Sequence, residues 1–201
     1  MILDKNEKEG RNCISKQILR MITSNFLKTL GSFQNRMQKE TMYKFYVRHH
    51  ATPEILELVS LENRRFGTMM ENIIKEVFHL EKSTRTTYDG MLVNASMKLR
   101  IEIKSSRYWR SSKHVFFKWQ HIMRDHDYHV LLFCGLDFHG IRVYAISKQN
   151  FIRLLDQNIV RQQGGAEGQG IWATSHEIGA YLTEICSGND WFEFIKNIHI
   201  L

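Results

Sequence analysis

The chain has 201 residues, 43% of them hydrophobic, which predicts a folded globular protein and excludes a disordered or collagen-like chain. No apolar stretch approaches the roughly 20 residues that a membrane-spanning helix needs, and the polar N-terminus lacks the apolar core of a signal peptide, so we expect a soluble, intracellular, cytoplasmic protein with no membrane partner. The formal net charge of +7 favours a polyanionic partner such as nucleic acid, although a basic protein without such a partner fits the charge equally well.

The first part of the chain, residues 1–65, is predicted to be helical. Apolar residues at three- and four-residue steps predict a helix over residues 14–37, and Thr52 followed by Pro53 predicts the start of a short helix. A stronger apolar stripe predicts a helix over residues 66–80, with Glu71 at the edge of the stripe and Lys75 one turn further along that edge.

The middle of the chain changes to a period of two. Residues 91–95 read as a strand, and residues 99–104 alternate strictly, which places Glu102 and Lys104 on the same face of a second strand. A turn is expected over residues 94–98, and a helix over residues 113–123. Residues 129–135 are nearly all apolar and predict a strand buried on both faces, with Cys134 as a buried thiol. Residues 141–146 are expected to pair with that strand.

The C-terminal part begins after a helix that contains Phe151 and Leu154. A glycine-rich stretch covers residues 164–170, and Thr174 with Glu177 forms a possible capping box for a helix through residue 185. This order of elements predicts an α/β fold, a mixed β-sheet flanked by α-helices. We expect a single domain over residues 1–201, with residues 66–156 as its core and residues 157–201 as a C-terminal loop and helix that are a candidate nucleic-acid contact element.

The three cysteines, Cys13, Cys134 and Cys186, form no CxxC pair, which argues against a structural zinc site and fits a reducing compartment.

Two carboxylates and a lysine carry the candidate chemistry. Asp89 precedes the first predicted strand, and Glu102 and Lys104 project from the same face of the second, about 7 Å apart along it. Phosphodiester hydrolysis needs a divalent cation held by oxygen ligands and a positive charge near the reacting phosphate. Magnesium takes one or two carboxylates, with water and phosphate oxygens completing its shell. These residues therefore predict a magnesium-dependent phosphodiesterase site.

The arrangement of Tyr88-Asp89-Gly90 and then Glu102-Ile103-Lys104 resembles the PD-(D/E)XK nuclease superfamily, with Tyr88 in place of the proline. The resemblance covers roughly residues 66–146 and implies a restriction-endonuclease-like fold. It implies that Asp89, Glu102 and the carbonyl of Ile103 bind Mg²⁺ and that Lys104 is the catalytic lysine. It also implies that Glu71 binds a second metal or a metal-bound water. Gln120, on the predicted helix 113–123, is implied to contact substrate or support the site.

Within that superfamily, the chain is most similar to type II restriction endonucleases. The similarity lies in the run from Glu102 to Arg107, the Trp119-Gln120 step and the glycine-rich stretch before Trp172. It implies sequence-specific cleavage of double-stranded DNA by a homodimer, because cutting both strands of a palindrome needs two sites related by a two-fold axis.

A basic segment surrounds the carboxylate–lysine pair. Residues 98–124 contain eight Lys or Arg residues and Glu102 as their only carboxylate. Such a segment suits contacts with phosphates. The candidate DNA-binding residues are Ser105, Ser106, Arg107, Arg110, Lys113, Lys118 and Gln120. We expect the aromatic side chains of Phe116, Phe117 and Trp119 to pack in the core instead.

Several alternatives stay open. The histidines at 121, 126 and 129 lie near Asp125 and Asp127 and could form a metal site, although a polar loop before the next strand is favoured. The chain could also be a repair or recombination nuclease that acts on structured DNA, or a non-catalytic DNA-binding module of the same fold. A basic scaffold protein with no nucleic-acid partner is a further alternative.

Overall fold

The computed structural model describes residues 38–94, 97–110, 114–163 and 170–198. The helices in these ranges are α1 Gln38–Arg48, α2 Pro53–Ser60, α3 Asn63–Val77, α4 Lys148–Asp156, α5 Ser175–Ile178 and α6 Gly188–Lys196, with a 3-10 turn at Gly179–Tyr181. The strands are β1 Glu81–Lys82, β2 Gly90–Asn94, β3 Met97–Arg110, β4 Val115–Ile122, β5 Val130–Leu136, β6 Ile141–Ser147, β7 Arg161–Gln162, β8 Ile171–Thr174 and β9 Thr183–Glu184.

The strands form one mixed sheet in the order β7-β8-β4-β3-β5-β6-β9, with β2 also paired to β3 and β1 to β2. The long strand β3 is its centre. One edge of β3 pairs in parallel with β5 over residues 101–107. On the other edge, antiparallel pairing with β2 ends at Ile101 and antiparallel pairing with β4 begins at Tyr108. We call the stretch of this edge between the ends of β2 and β4, residues 102–107, the divergence.

Helices cover the sheet, and apolar side chains fill the space on both of its faces. Strand β5 shows why: all of its residues are buried, and alternate ones belong to two different cores. Val130 and Leu132 pack into the core shared with α1, α2, α3 and α6. Leu131 and Phe133 pack into the core shared with β4, β8 and α4. The prediction of a strand buried on both faces is confirmed, as is the mixed α/β class. Cys134 is buried, as expected.

The helix predicted over residues 113–123 is wrong, because Val115–Ile122 forms strand β4. Its side chains are mostly aromatic or β-branched, which favours a pleated, half-buried surface. The expectation that Phe117 and Trp119 lie in the core is confirmed, and Phe116 is half-buried. The Trp119 indole Nε1 donates to the carbonyl oxygen of Cys134 at 3.0 Å. A Cβ at Gly135 would lie 2.4 Å from a ring carbon of Phe117, so the absence of a side chain at Gly135 makes room for the Phe117 ring over β5.

Most other elements lie where the sequence predicts them, with shifted boundaries. Pro53 begins α2 after Thr52, and α3 begins one turn earlier than predicted, at Asn63. Thr174 caps α5 by accepting from the Glu177 backbone N–H at 3.2 Å. The helix predicted to run from this cap through residue 185 is wrong, because α5 ends at Ile178 and residues 183–184 pair with β6 as β9. The predicted helix 14–37 and most of the glycine-rich stretch lie outside the described residues.

Within the described ranges, no helix is both long enough and apolar enough to cross a membrane.

Candidate active site

Asp89 is held at the divergence by its own backbone and side chain. Its N–H donates to the carbonyl oxygen of Ile101 at 2.9 Å, one residue before β2 begins. Its carboxylate oxygen Oδ2 accepts from the N–H of Ile103 at 2.7 Å. The carboxylate thus continues the hydrogen bonding between β2 and β3 beyond the point where the backbone pairing ends. Because the N–H and C=O of one strand residue point to the same edge, the Ile103 carbonyl also faces the divergence.

Glu102 and Lys104 lie next to Asp89 along β3. The alternation of the strand buries Ile101 and Ile103 in the helix-covered core and turns Glu102 and Lys104 to the opposite face, as predicted. Glu102 is nevertheless buried, with its side chain 4% exposed. Its Oε1 lies 2.5 Å from Nζ of Lys104, whose side chain is 20% exposed. The pair is therefore a shielded carboxylate with a partly hydrated ammonium beside it.

The electrostatics mark this cluster as a place where negative charge is costly. Burial raises the pKa of Glu102 to about 7, and the nearby ammonium of Lys104 lowers it only in part. Burial also raises the pKa of Asp89, while the hydrogen bond from Ile103 N–H and the charge of Lys104 lower it. The charge of Glu71 acts on both carboxyl groups and raises both pKa values. Carboxylates perturbed in this way are frequent at functional sites.

Glu71 comes from α3, as the sequence predicts, and is paired with Lys75 one turn later. The charge of Lys75 lowers the pKa of Asp89, so this lysine also belongs to the electrostatic environment of the cluster. Sequence reasoning noted the position of Lys75 but gave it no role. The structure therefore brings Glu71, Asp89, Glu102 and Lys104 into one electrostatic cluster, with Lys75 beside it.

The segment between β4 and β5 adds two side chains that sequence reasoning left in a polar loop. His126 Nδ1 lies 4.0 Å from Oε1 of Glu102. Tyr128 is 2% exposed, and its pKa is raised by burial and then by the charge of Glu102. The sequence offered no local signal for them, because the chain turns over residues 124–126 and Glu102 lies in a different strand.

The donor set fits a hard cation such as Mg²⁺. Across the described ranges, no three His, Cys, Asp or Glu side chains converge closely enough to hold a metal ion by themselves. Magnesium does not require such a cage, because it keeps several waters and takes one or two carboxylates. Asp89, Glu102 and the Ile103 carbonyl supply oxygen atoms of that kind. The raised pKa values of Asp89 and Glu102 agree with this fit, because a cation bound beside the two carboxyl groups would favour their ionised forms.

Two predicted DNA-binding residues make contacts within the fold. The Arg107 guanidinium donates to the carbonyl oxygens of Leu58 and Leu61, both at the end of α2, at 3.2 and 2.6 Å, and stacks 3.9 Å from the ring centre of Phe66. Ser106 is 4% exposed. Its Oγ accepts from the N–H of Lys118 at 3.0 Å and thereby joins β3 to β4. Both side chains are engaged in contacts within the fold, and their contact with DNA stays a prediction.

The remaining candidates lie further along β3 and β4. The Lys118 ammonium lies 3.8 Å from the ring centre of Trp172 and 5.0 Å from that of Trp109, which is 45% exposed. Arg110 is exposed and Ser105 is half-buried. Gln120 is predicted to lie on a helix. It is instead half-buried on strand β4, where the pairing with β8 is irregular. Lys113 lies outside the described residues.

Fold and site together define a mixed α/β protein with a carboxylate–lysine cluster on the central strand of its sheet. No protein-family model matches the chain, and neither does any curated protein. Among solved structures, the chain is similar to a bacterial homing endonuclease, I-Ssp6803I, with a TM-score of 0.38 and 15% identity. That likeness covers 56% of this chain and 74% of the other. A likeness at this level assigns no activity.

Proposed function

We propose that the chain is a magnesium-dependent endonuclease that hydrolyses phosphodiester bonds of double-stranded DNA. The observation that carries the proposal is the meeting of Asp89, Glu102 and Lys104 at the divergence, with both carboxyl pKa values raised. Buried carboxylates beside an ammonium are costly to maintain, and structural ion pairs gain little from such burial. A site that binds a divalent cation and a phosphate accounts for this arrangement.

Each residue has a part in the proposed reaction. Asp89, Glu102 and the Ile103 carbonyl would hold Mg²⁺, and Glu71 would hold a second metal or a metal-bound water. When bound, the cation supplies Lewis-acid stabilisation of the phosphate and lowers the pKa of water. The Lys104 ammonium has three donors. One can remain on Glu102 while the others donate to a phosphate oxygen, which stabilises the negative charge that develops during attack.

The net charge of +7 supports a polyanionic substrate. Arg110 and Lys118 extend from the strands that continue past the site, and we propose that they contact phosphates. In its finer form the proposal is a type II restriction enzyme that acts as a homodimer inside the cell, with a restriction-endonuclease-like arrangement of the core. The single domain over residues 1–201 stays a prediction.

Plasmid cleavage tests the activity. We expect the full chain to cut mixed plasmid DNA with Mg²⁺, and we expect EDTA, Glu102→Gln or Lys104→Ala to abolish the cutting. The matched controls are Glu193→Gln and Lys196→Ala, an exposed acidic and basic pair on α6 that should leave cleavage unchanged. Cutting that persists in EDTA, or in both site variants, would contradict the mechanism.

The same assay separates the rival functions. Discrete bands from a plasmid digest support a sequence-specific restriction enzyme, whereas nicking only at branched or mismatched DNA supports a repair or recombination nuclease. Salt-sensitive DNA binding without magnesium-dependent cleavage supports a non-catalytic module.

Light scattering with and without DNA tests the homodimer, and a monomer under both conditions would contradict it.

A further inference from the structure

The segment before β5 presents two buried polar atoms to Glu102. His126 Nδ1 and the Tyr128 hydroxyl are both buried, and within the described ranges neither has a hydrogen-bond partner. Buried polar groups are hydrogen-bonded in the great majority of cases, and an exception calls for a ligand, an ion or water. Both exceptions come from one segment. His126 Nδ1 lies 4.0 Å from Glu102 Oε1, and Tyr128 feels the charge of the same carboxylate, which indicates a shared ligand.

The segment is held firmly in this position. Arg100 on β3 donates from Nε to the Asp127 carbonyl oxygen at 2.7 Å and pairs with the Asp127 carboxylate at 2.8 Å. Lys148, the first residue of α4, donates to the carbonyl oxygen of His126 at 2.5 Å. These contacts fix the backbone from which His126 and Tyr128 extend. His126 Nδ1 lies 4.0 Å from Glu102 Oε1, and the charge of Glu102 raises the pKa of Tyr128.

The distance to Glu102 identifies the kind of ligand. At 4.0 Å, His126 Nδ1 and Glu102 Oε1 are too far apart for a direct hydrogen bond. An oxygen atom about 2.8 Å from both atoms would subtend an angle of roughly 90°, which one water molecule can span with its two O–H groups. The His126 Nδ1 atom can accept one hydrogen, a carboxylate oxygen of Glu102 can accept the other, and the Tyr128 hydroxyl is available as a donor.

We infer that His126 and Tyr128 form an oxygen-binding subsite that holds the attacking water of the hydrolysis beside Glu102. A water that donates two hydrogen bonds and accepts one retains a lone pair for attack on phosphorus. As its oxygen bonds to phosphorus, one of its protons passes to the Glu102 carboxylate, the bond from phosphorus to the leaving sugar oxygen breaks, and that oxygen takes a proton from solvent. This inference rests on the proposed nuclease function, to which it adds two residues that contact the reacting atoms. This role requires the protonated hydroxyl of Tyr128, because only a hydroxyl that keeps its proton can donate a hydrogen bond to the water.

Single-turnover cleavage at saturating DNA tests the inference. We expect Tyr128→Phe and His126→Leu each to lower the rate constant by about 10- to 100-fold, with the Kd for DNA in EDTA changed by less than about two-fold. His126→Asn should keep the rate within about three-fold of the original, because its amide lies near the position of Nδ1. His126→Gln should behave like the leucine variant, because its amide lies near the position of Nε2. Exposed His139→Leu and Tyr181→Phe are the matched controls and should leave the rate unchanged.

Unfolding in urea gives a readout that does not need activity. If the Tyr128 hydroxyl had no ligand, its removal would relieve the cost of a buried unsatisfied group and raise the urea midpoint of Tyr128→Phe. We expect the midpoint to stay unchanged or to fall. A raised midpoint overturns the subsite, even in a protein that cuts no DNA, and an unchanged cleavage rate in Tyr128→Phe and His126→Leu overturns its role in hydrolysis. Absence of cleavage by the unaltered chain overturns the proposed function and the water's role in attack, while the urea comparison still decides whether the subsite binds an oxygen ligand.

Discussion

Replacing Glu102 by glutamine should change how the stability of the protein depends on pH. Burial raises the pKa of Glu102 from an ordinary value of 4.5 to about 7. Between these two values the folded state binds more protons than the unfolded state, so stability falls as the pH rises through this window. The cost of ionisation is absent well below pH 4.5 and fully present above pH 7. Glutamine has no such proton, so Glu102→Gln should lose less stability over this range.

The size of the effect follows from the shift. One pKa unit corresponds to about 1.4 kcal/mol, and the side chain is only 4% exposed, so little of the shift is lost to solvent screening. From about pH 5 to about pH 8, the free energy of unfolding of the unaltered protein should fall by roughly 2 to 3 kcal/mol more than that of Glu102→Gln. Urea unfolding in EDTA, followed by circular dichroism across this range, measures the difference.

A matched variant isolates the effect of burial. Glu193→Gln removes an exposed carboxylate on α6 and should follow the unaltered protein throughout. Parallel curves of unfolding free energy against pH for the unaltered protein and Glu102→Gln would refute the reasoning, because they would mean that the fold does not disfavour the ionised form of Glu102. A greater loss in Glu102→Gln would refute it as well.

Three further variants test packing and the hydrogen bonds of one arginine. Gly135→Ala should destabilise the protein by about 1 to 3 kcal/mol, because its Cβ would overlap the ring of Phe117. Gly67→Ala, within α3 and with nothing within 4 Å, should instead stabilise by about 0.5 to 1 kcal/mol, and the two urea midpoints check both signs. Arg107→Lys should cost about 1 to 3 kcal/mol, because an ammonium has no planar face to stack on Phe66 and no second nitrogen to donate to Asn63 while the first serves the carbonyl oxygens of α2. DNA affinity that drops while the urea midpoint stays constant would show that Arg107 contacts phosphate after all.

The strand that carries the candidate site could be predicted because its pattern is local. Strict alternation over residues 99–104 assigns each side chain to one face, and the buried Leu99 and Ile101 confirm that assignment. The same local logic failed for β4. Its apolar residues suited a helix as well as a strand, and the contact between Phe117 and Gly135, which selects the strand, joins residues distant in sequence.

The role of a charged residue could not be predicted in the same way. Arg107 lies in a run of basic residues typical of a DNA-contacting surface, yet its guanidinium bridges α2 and stacks on α3. His126 and Tyr128 lie in a segment that reads as a polar loop, yet His126 Nδ1 lies 4.0 Å from Glu102 Oε1 and the charge of Glu102 acts on Tyr128. In each case the partner comes from another part of the chain, and the strand-to-strand and helix-to-sheet packing that brings it there leaves no trace in the local pattern.

By itself the sequence determined that Glu102 and Lys104 share one face of a strand and that Asp89 stands at the start of its neighbour. These facts follow from side-chain periodicity and from chain order, which are properties of a few adjacent residues. The tertiary structure decided how deeply Glu102 is buried, which carboxylates act on one another, and which side chains complete their surroundings. Desolvation and charge–charge interaction depend on every element packed around a group, so the pKa values that give the cluster its chemical character arise only once the whole sheet and its helices have assembled.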